Sequence, residues 1–421
     1  MMHSFFQVVY TTLQAVATAI FHPWFLIVIY LMYKMYKKNG DMEVETLLFM
    51  RQKISNKMVQ SILSGILIGI GASILLVVIG FPIHLSEYMV FLLPVAILLA
   101  MINFRYLCFS YAGGILGILS FIFQGQMFLG YKLPDMNMDI PGIIALVGIL
   151  HFMESLLILL EGADDSIPII IKKEGKFASA YMMQKYWPLP FALLVMEVMT
   201  AVPQGSIEMP DWWPLMKNII DNPGGVLVYS IYPITAVLGY GDIAVSTTPE
   251  QKSRRTALSL MAYSLFLLVT AIFAPNRIWL QGLGVILMPL LHEILIVQGQ
   301  KRERYSKPLY VYPDKGVRVL DLKPEGLGEK LGLRRGDVIL KINGTEIENY
   351  LHMKAILNNY FTFLWVDILG IDGKHRCIEH QAYPSGVNDL GIIPLIEEPL
   401  AVYRLENMES VGLFRMFSGK K

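Results

Sequence analysis

Residues 316–347 read GVRVLDLKPEGLGEKLGLRRGDVILKINGTEI, and the order of turns and apolar residues in this stretch decides what the C-terminal part of the chain is. Gly332 suits the left-handed stop of a short helix, Gly336-Asp337 turns the chain, and Asn343-Gly344 is a tight-turn pair. Val338, Ile339, Leu340 and Ile342 form a run short enough to be a buried strand packing between sheet and helix. Outward from this stretch, strands are expected at 317–322, 337–342, 363–369 and 376–380, with helical stretches at 326–332 and 349–359. Asp372-Gly373 supplies a hairpin turn between the last two strands.

The stretch resembles the bacterial PDZ pattern: a Gly-led strand, a Pro turn, a short helix closing on Gly-Leu, then Gly-Asp-x-Ile-x-x-Ile-Asn-Gly. One departure is Glu325-Gly326-Leu327-Gly328, which stands where the family usually has Ser-Pro-Ala, so the helix start differs. The resemblance implies a PDZ domain over residues 308–395 that recognises peptides by β-augmentation, a ligand strand being laid along an exposed sheet edge. That edge would be strand 317–322, opposite helix 349–359. A terminal carboxylate would sit at a backbone nest around Lys315, Gly316 and Val317, with Val319, His352 and Ile356 lining the groove. Two alternatives stay open: the groove is filled by the protein's own chain, or the domain docks partners through another face.

Upstream, the composition changes class. Over the 421 residues, 54% are hydrophobic and only 16% charged, more apolar and less charged than a soluble globular protein. A net charge of +1 carries no global basic excess of the kind nucleic-acid binding needs. The expected fold class is a polytopic α-helical membrane bundle of about eight to nine transmembrane helices followed by the α/β PDZ domain. Spans are expected near 15–33, 58–80, 88–103, 106–130, 140–160, 187–204, 224–240, 256–275 and 278–297. Residues 5–20 also fit an interfacial helix feeding a first span broken at Pro23. The resulting division is a helical domain at 1–297, a basic linker at 298–307, the PDZ domain at 308–395 and a frayed tail at 396–421. The two cysteines, Cys108 and Cys377, read as free thiols in a reducing setting. The cluster Lys34, Lys37, Lys38 follows the first apolar run, the wrong order for a cleaved signal peptide.

Loop charge sets the orientation. One alternate set of loops holds Lys34, Lys37, Lys38, Arg51, Lys53, Lys57, Arg105, Lys172, Lys173, Lys176, Lys185, Lys252, Arg254, Arg255, Lys301, Arg302, Arg304 and Lys307. The other holds only Lys132, Lys217 and Arg277. The bias places the PDZ domain in the cytoplasm and the N-terminus outside. Trp24, Trp187, Trp212, Trp213 and Trp279 stand near expected span ends, at headgroup level.

PDZ domains often accompany membrane proteases, and three catalytic patterns bear on this chain. A zinc protease helix needs two His at i and i+4 with Glu beside the first; His292-Glu293 is followed by Ile296, and the pattern fails. A rhomboid Gly-x-Ser-Gly turn also fails, because Ile62-Leu63 precedes Ser64-Gly65. Gly239-Tyr240-Gly241-Asp242 matches the Gly-x-Gly-Asp pattern of intramembrane aspartyl proteases, which pair two carboxylates; Asp164 or Asp165 would be the second. The other reading of these four residues is two glycines ending a helix before a loop. His151 and Glu154, at i and i+3 on the fifth span, and Glu197 in the sixth are ionisable groups in apolar surroundings. They fit either a proton or ion pathway or interhelical hydrogen bonds. No metal or cofactor set is read from the sequence.

Taken together, His22-Pro23-Trp24, a basic first cytoplasmic loop, Leu-Gly-Tyr-Gly-Asp-Ile-Ala at 238–244, a last span ending Leu-His-Glu-Ile and the terminal PDZ pattern resemble the MinJ-like cell-division topological determinants. The resemblance implies a non-catalytic adaptor in the bacterial cell membrane, septal and polar. It would bridge the scaffold DivIVA to MinD and so place the MinCD inhibitor of FtsZ assembly.

Overall fold

In the computed structural model, which describes residues 2–47, 49–84, 87–123, 127–128, 131–132, 136–173, 175–217, 224–396 and 402–403, helices and strands alternate through the apolar part. The order is α1 (Met2–Phe21), α2 (Pro23–Leu47), α3 (Ile54–Ile79), β1 (Ile83–His84), α4 (Leu92–Ile102), α5 (Phe109–Ile122), β2 (Met127–Phe128) and β3 (Tyr131–Lys132). Then come α6 (Ile140–Glu161), β4 (Ile167–Lys173), β5 (Lys176–Met199), β6 (Val226–Ala244), α7 (Pro249–Phe273) and α8 (Ile278–Tyr305).

The expected sixth and seventh helical spans, 187–204 and 224–240, are corrected to strands. β5 and β6 pair antiparallel from Tyr181 opposite Ala244 to Met199 opposite Val226. Pro188 and Pro190, two residues apart, would each remove a hydrogen bond and clash inside a helix. In the strand they fall on the edge of β5 that faces away from β6, where a missing N–H costs nothing. On that same edge, Ala192 N–H donates to Ser73 Oγ at 2.8 Å, and Tyr186 N–H to Tyr36 Oη at 3.4 Å. Pro233 stands opposite Ala192, so its missing donor also falls on an outer edge. Apolar surroundings punish unpaired backbone groups, and this edge meets that demand with prolines and hydroxyls.

The helix that covers this edge is α3. Its small residues Ser61, Gly65, Gly69 and Ser73 recur every fourth position and are all buried, a spacing that puts them on one face and lets another backbone approach. A Cβ at Gly65 would meet the carbonyl oxygen of Pro188, and one at Gly69 that of Pro190. Nearly all of β5 is buried, with Trp187 and Phe191 at 0% and 1% exposed. A strand covered on both faces reads as an unbroken apolar run, which is why hydropathy alone made it a span.

Among the described residues, five helices are long and apolar enough to cross a membrane: Ser4–Phe21, Ile54–Ile79, Ile140–Glu161, Pro249–Phe273 and Ile278–Tyr305. Tyr88–Ile102 and Phe109–Ile122 are shorter apolar helices at the expected third and fourth spans. The expected first span, 15–33, is divided at His22 between α1 and α2, where Phe25 N–H bonds His22 O at 2.9 Å. α6 sits at the centre, buried along most of its length. The expected basic linker at 298–307 is mostly helix, because α8 runs on to Tyr305.

The C-terminal domain comprises β7 (Val317–Leu322), α9 (Leu327–Lys330), β8 (Val338–Ile342), β9 (Thr345–Glu346), α10 (Tyr350–Leu357), β10 (Phe363–Leu369), β11 (His375–Gln381) and β12 (Ile392–Pro394). The sheet order is β11-β10-β8-β7-β12, with β9 beside β8. Val319, Ile339, Ile342, Met353, Leu364, Val366 and Ile368 fill a core of its own. Of the tail expected at 396–421, residues 397–401 and 404–421 lie outside the described residues.

Candidate functional site: a PDZ domain seated on the helical body

The turn chemistry appears where the sequence demands it. Gly332, Gly336, Asn343 and Gly344 have φ of +72°, +90°, +47° and +79°. Asp337 is 1% exposed. Its carboxylate accepts from Arg334 N–H at 2.9 Å and from Arg376 Nη2 at 3.1 Å, which ties the β8 turn to β11. Gly316, at φ +84°, could not carry a side chain, since a Cβ there would also run into Ile339 O.

The β7 edge expected to take a ligand strand is not free. The edge of β7 away from β8 is covered by the chain's own β12, with Ile392 opposite Leu322, Ile393 opposite Asp321 and Pro394 opposite Val319. Lys323 N–H donates to Gly391 O at 2.8 Å and Leu395 N–H to Arg318 O at 2.9 Å, extending that pairing. Val317 and Val319 are core residues at 2% and 0% exposed, packed in the same cluster as Ile356. Lys315 is exposed beside Gly316. His352 belongs to the start of α10, its N–H bonded to Asn349 Oδ1 at 2.9 Å. Any added strand would therefore have to lie along β12 or β11, the two outer strands of the sheet. β12 was missed because Gly-Ile-Ile-Pro is too short to read as a strand and follows a long loop; its one signal is a Pro at the end of an apolar pair, an edge-strand mark.

The inner face of the domain is committed to the helical body. Leu320, Ile393 and Leu395 belong to the same buried cluster as Tyr181, Met183 and Tyr310. The segment after α8 runs beside β5, with Ser179 N–H bonded to Tyr310 O at 2.9 Å and Tyr312 N–H to Phe177 O at 3.0 Å. Tyr181 Oη donates to Leu320 O at 2.7 Å. At the centre, the Asp321 carboxylate takes Arg51 Nη1 at 2.8 Å and Arg335 Nε at 2.8 Å. Arg51, in the α2–α3 loop, also reaches Glu43 Oε1 at 2.7 Å and Ser166 O at 2.6 Å, while Lys57 takes the other Glu43 oxygen at 2.7 Å. Arg335 also lies over the Tyr181 ring, 5.4 Å from its centroid. Burial works against the charged form of Arg335, but Asp321 and the neighbouring Tyr181 and Glu250 outweigh it, and its pKa is raised.

The remaining sequence candidates separate. Asp242 is held by Lys252 at 3.1 Å and Thr256 Oγ1 at 3.1 Å. Asp165 is paired with Lys185 at 2.9 Å, and Asp164 accepts from Gln60 Nε2 at 2.9 Å. Asp242 thus has a cation beside it, not the second carboxylate that aspartyl catalysis needs. Glu197, expected inside a helical span, is on β5 and accepts from Ser230 Oγ and Tyr232 Oη, both at 2.7 Å, across the hairpin. His151 and Glu154 share α6 as expected. His151 is drawn to two residues not grouped with it from the sequence, Cys108 and His292.

These features define a class: a PDZ domain joined to a set of helices long and apolar enough to cross a membrane. The PDZ domain family matches residues 318–359. Over 276 residues, 65% of this chain and 66% of the other, the sequence is 24% identical to the "Cell division topological determinant MinJ" of Bacillus subtilis (strain 168). The chain is thus MinJ-like in sequence, and the match takes in just under two thirds of that relative's length. A "Serine protease HtrA-like" of Staphylococcus epidermidis is 34% identical over 59 residues, 14% of this chain and 10% of that protein, so the match leaves nine tenths of the protease uncovered.

Proposed function

We propose that this protein is a membrane-anchored, non-catalytic PDZ adaptor that gathers division-site selection proteins at the septum and poles. DivIVA and MinD are the partners proposed through its likeness to MinJ, and the PDZ domain is proposed to face the cytoplasm of a bacterial cell. The observation that carries the reading is the ionic seam around Asp321, which fixes the domain to the body by one face and leaves β11 and the outer side of α10 turned outward. A domain so held is confined near a two-dimensional surface, where a weak contact gains from high effective concentration. Arg51 in the α2–α3 loop, Lys57 on α3, Lys185 on β5 and Lys252 on α7 are each engaged by an acidic partner, and the cytoplasmic placement rests on the charge bias of the sequence.

The test is a chain lacking residues 308–421, expressed in a rod-shaped Gram-positive host with tagged DivIVA and MinD. Stable membrane insertion with loss of MinD from the septum is the expected result. Unchanged MinD placement would count against the adaptor role.

A further inference from the structure

Three side chains, one from the N-cap of α5 and one each from α6 and α8, converge within the bundle. Cys108 Sγ lies 3.1 Å from His151 Nε2 on α6 and 3.7 Å from His292 Nε2 on α8, and the three atoms all fall within 4.8 Å of one another. Thiolate and imidazole ligands at about 2.3 Å and 2.0–2.1 Å from a tetrahedral ion stand about 3.6 Å apart. The spacing found already approximates that of a loaded site.

The hydrogen-bond partners decide what these atoms carry. His151 Nδ1 faces Val147 O at 2.8 Å; a carbonyl only accepts, so Nδ1 holds the proton and Nε2 is a bare lone pair. His292 Nδ1 faces Tyr111 Oη at 3.3 Å, and Tyr111 gives its own proton to Glu293 Oε2 at 2.6 Å. His292 Nδ1 is therefore the donor, and its Nε2 is also bare. Glu293 is in turn paired with Arg105 at 2.5 Å. Two lone pairs and a sulfur thus meet with a single hydrogen, the thiol's, to share. Cys108 caps the N-terminus of α5, where Ser110 N–H donates to Sγ at 3.3 Å, and a bound cation would supply the charge that deprotonates a coordinating thiol. Both imidazoles have the outer hydrogen bond that orients metal-ligating histidines.

We propose that Cys108, His151 and His292 bind one thiophilic transition-metal ion, Zn2+ in the first instance, as three protein ligands with a fourth position open. A thiolate and two imidazoles suit Zn2+. Glu154 stands three residues from His151 on α6, on the same side of that helix. The ion would pin α8, the helix that leads to the PDZ domain, to α5 and α6.

The full chain, purified in detergent and stripped with chelator, is titrated with Co2+ as an optical probe. A thiolate-to-cobalt charge-transfer band saturating at about one equivalent, and bleached by Zn2+, is expected. Cys108→Ser should lose the band and Cys377→Ser keep it. Tyr111→Phe, which removes the outer partner of His292, should retain the band but weaken affinity on the order of 10–100-fold. No band in the parent protein, or a band lost in Cys377→Ser and kept in Cys108→Ser, overturns the proposal. The parent titration decides the matter even if a variant misfolds.

Discussion

Arg51 and Asp321, separated by 270 residues in the chain, are joined at 2.8 Å, and both side chains are largely buried, at 11% and 6% exposed. One belongs to a loop between two apolar helices and the other to the first strand of the PDZ domain. Their contact is where the two parts of the molecule become one. Asp321→Asn leaves Arg51 and Arg335 without their shared carboxylate. Breaking a buried pair costs about 3–5 kcal/mol, and the partial exposure of Arg335 puts this case near the lower end, ~3 kcal/mol. Hydrogen exchange at Ser179 and Tyr312, whose amides bond between β5 and the segment leading into the domain, should accelerate by about 100-fold in the full chain as the domain lifts off. Unaltered exchange there would show that the seam does not hold the domain.

The packing of α3 on β5 depends on glycine at named positions. Gly65→Ala drives a methyl into the Pro188 carbonyl, and a shift of packed backbone should cost ~1–3 kcal/mol. Gly71→Ala, on the same helix with nothing near its Cβ, should instead stabilise by about 0.4–1 kcal/mol. Unfolding midpoints of the two variants moving in opposite directions is the expected result; equal shifts would contradict the close approach.

Ser73→Ala tests the polar edge of β5. The Ala192 N–H loses its oxygen in apolar surroundings, which should cost about 1–3 kcal/mol. Ser73→Thr keeps the oxygen, and recovery of most of the loss with threonine would tie the effect to the hydrogen bond. Equal loss in both variants would assign it to volume.

Within the PDZ domain, burial pushes the Asp389 carboxyl up, but hydrogen bonds from Lys323 and the Gly391 N–H, with the charges of Lys323 and Lys354, outweigh it and hold the pKa below the ordinary range. A depressed folded pKa adds stability above the unfolded value, roughly pH 4, and that stability is lost as pH falls through the folded pKa. Residues 308–395 carry a core of their own. In that fragment, Asp389→Asn should flatten the pH dependence of urea unfolding below about pH 4. An unchanged slope would mean the carboxylate adds nothing there. The pair is half exposed, at 41% and 51%, so the effect at neutral pH should be small.

Much of the PDZ domain was legible because its information is local. Gly332, Gly336 and Asn343-Gly344 state their backbone conformation through residue type, and β7, β8, β10 and β11 fall within a residue or so of the expected strands. Long-range pairing is not local, and there the reading went astray. The free edge assigned to residues 317–322 is closed by β12, some seventy residues on along the chain. The candidate carboxylate Asp242 found a lysine where a second carboxylate was sought.

By itself, the sequence determined that a PDZ domain follows a strongly apolar region, because composition and turn chemistry are properties of single residues and their neighbours. Only the tertiary structure decided that two apolar runs are strands, since β5, buried along nearly its whole length, and β6, paired along it, are as hydrophobic as a helix in lipid. It alone turned an isolated thiol at Cys108 and two histidines, 43 and 184 residues away, into one cluster. No periodicity records which helices will be neighbours; that is settled when Gly65 and Gly69 let α3 close on β5 and the rest of the bundle packs around α6.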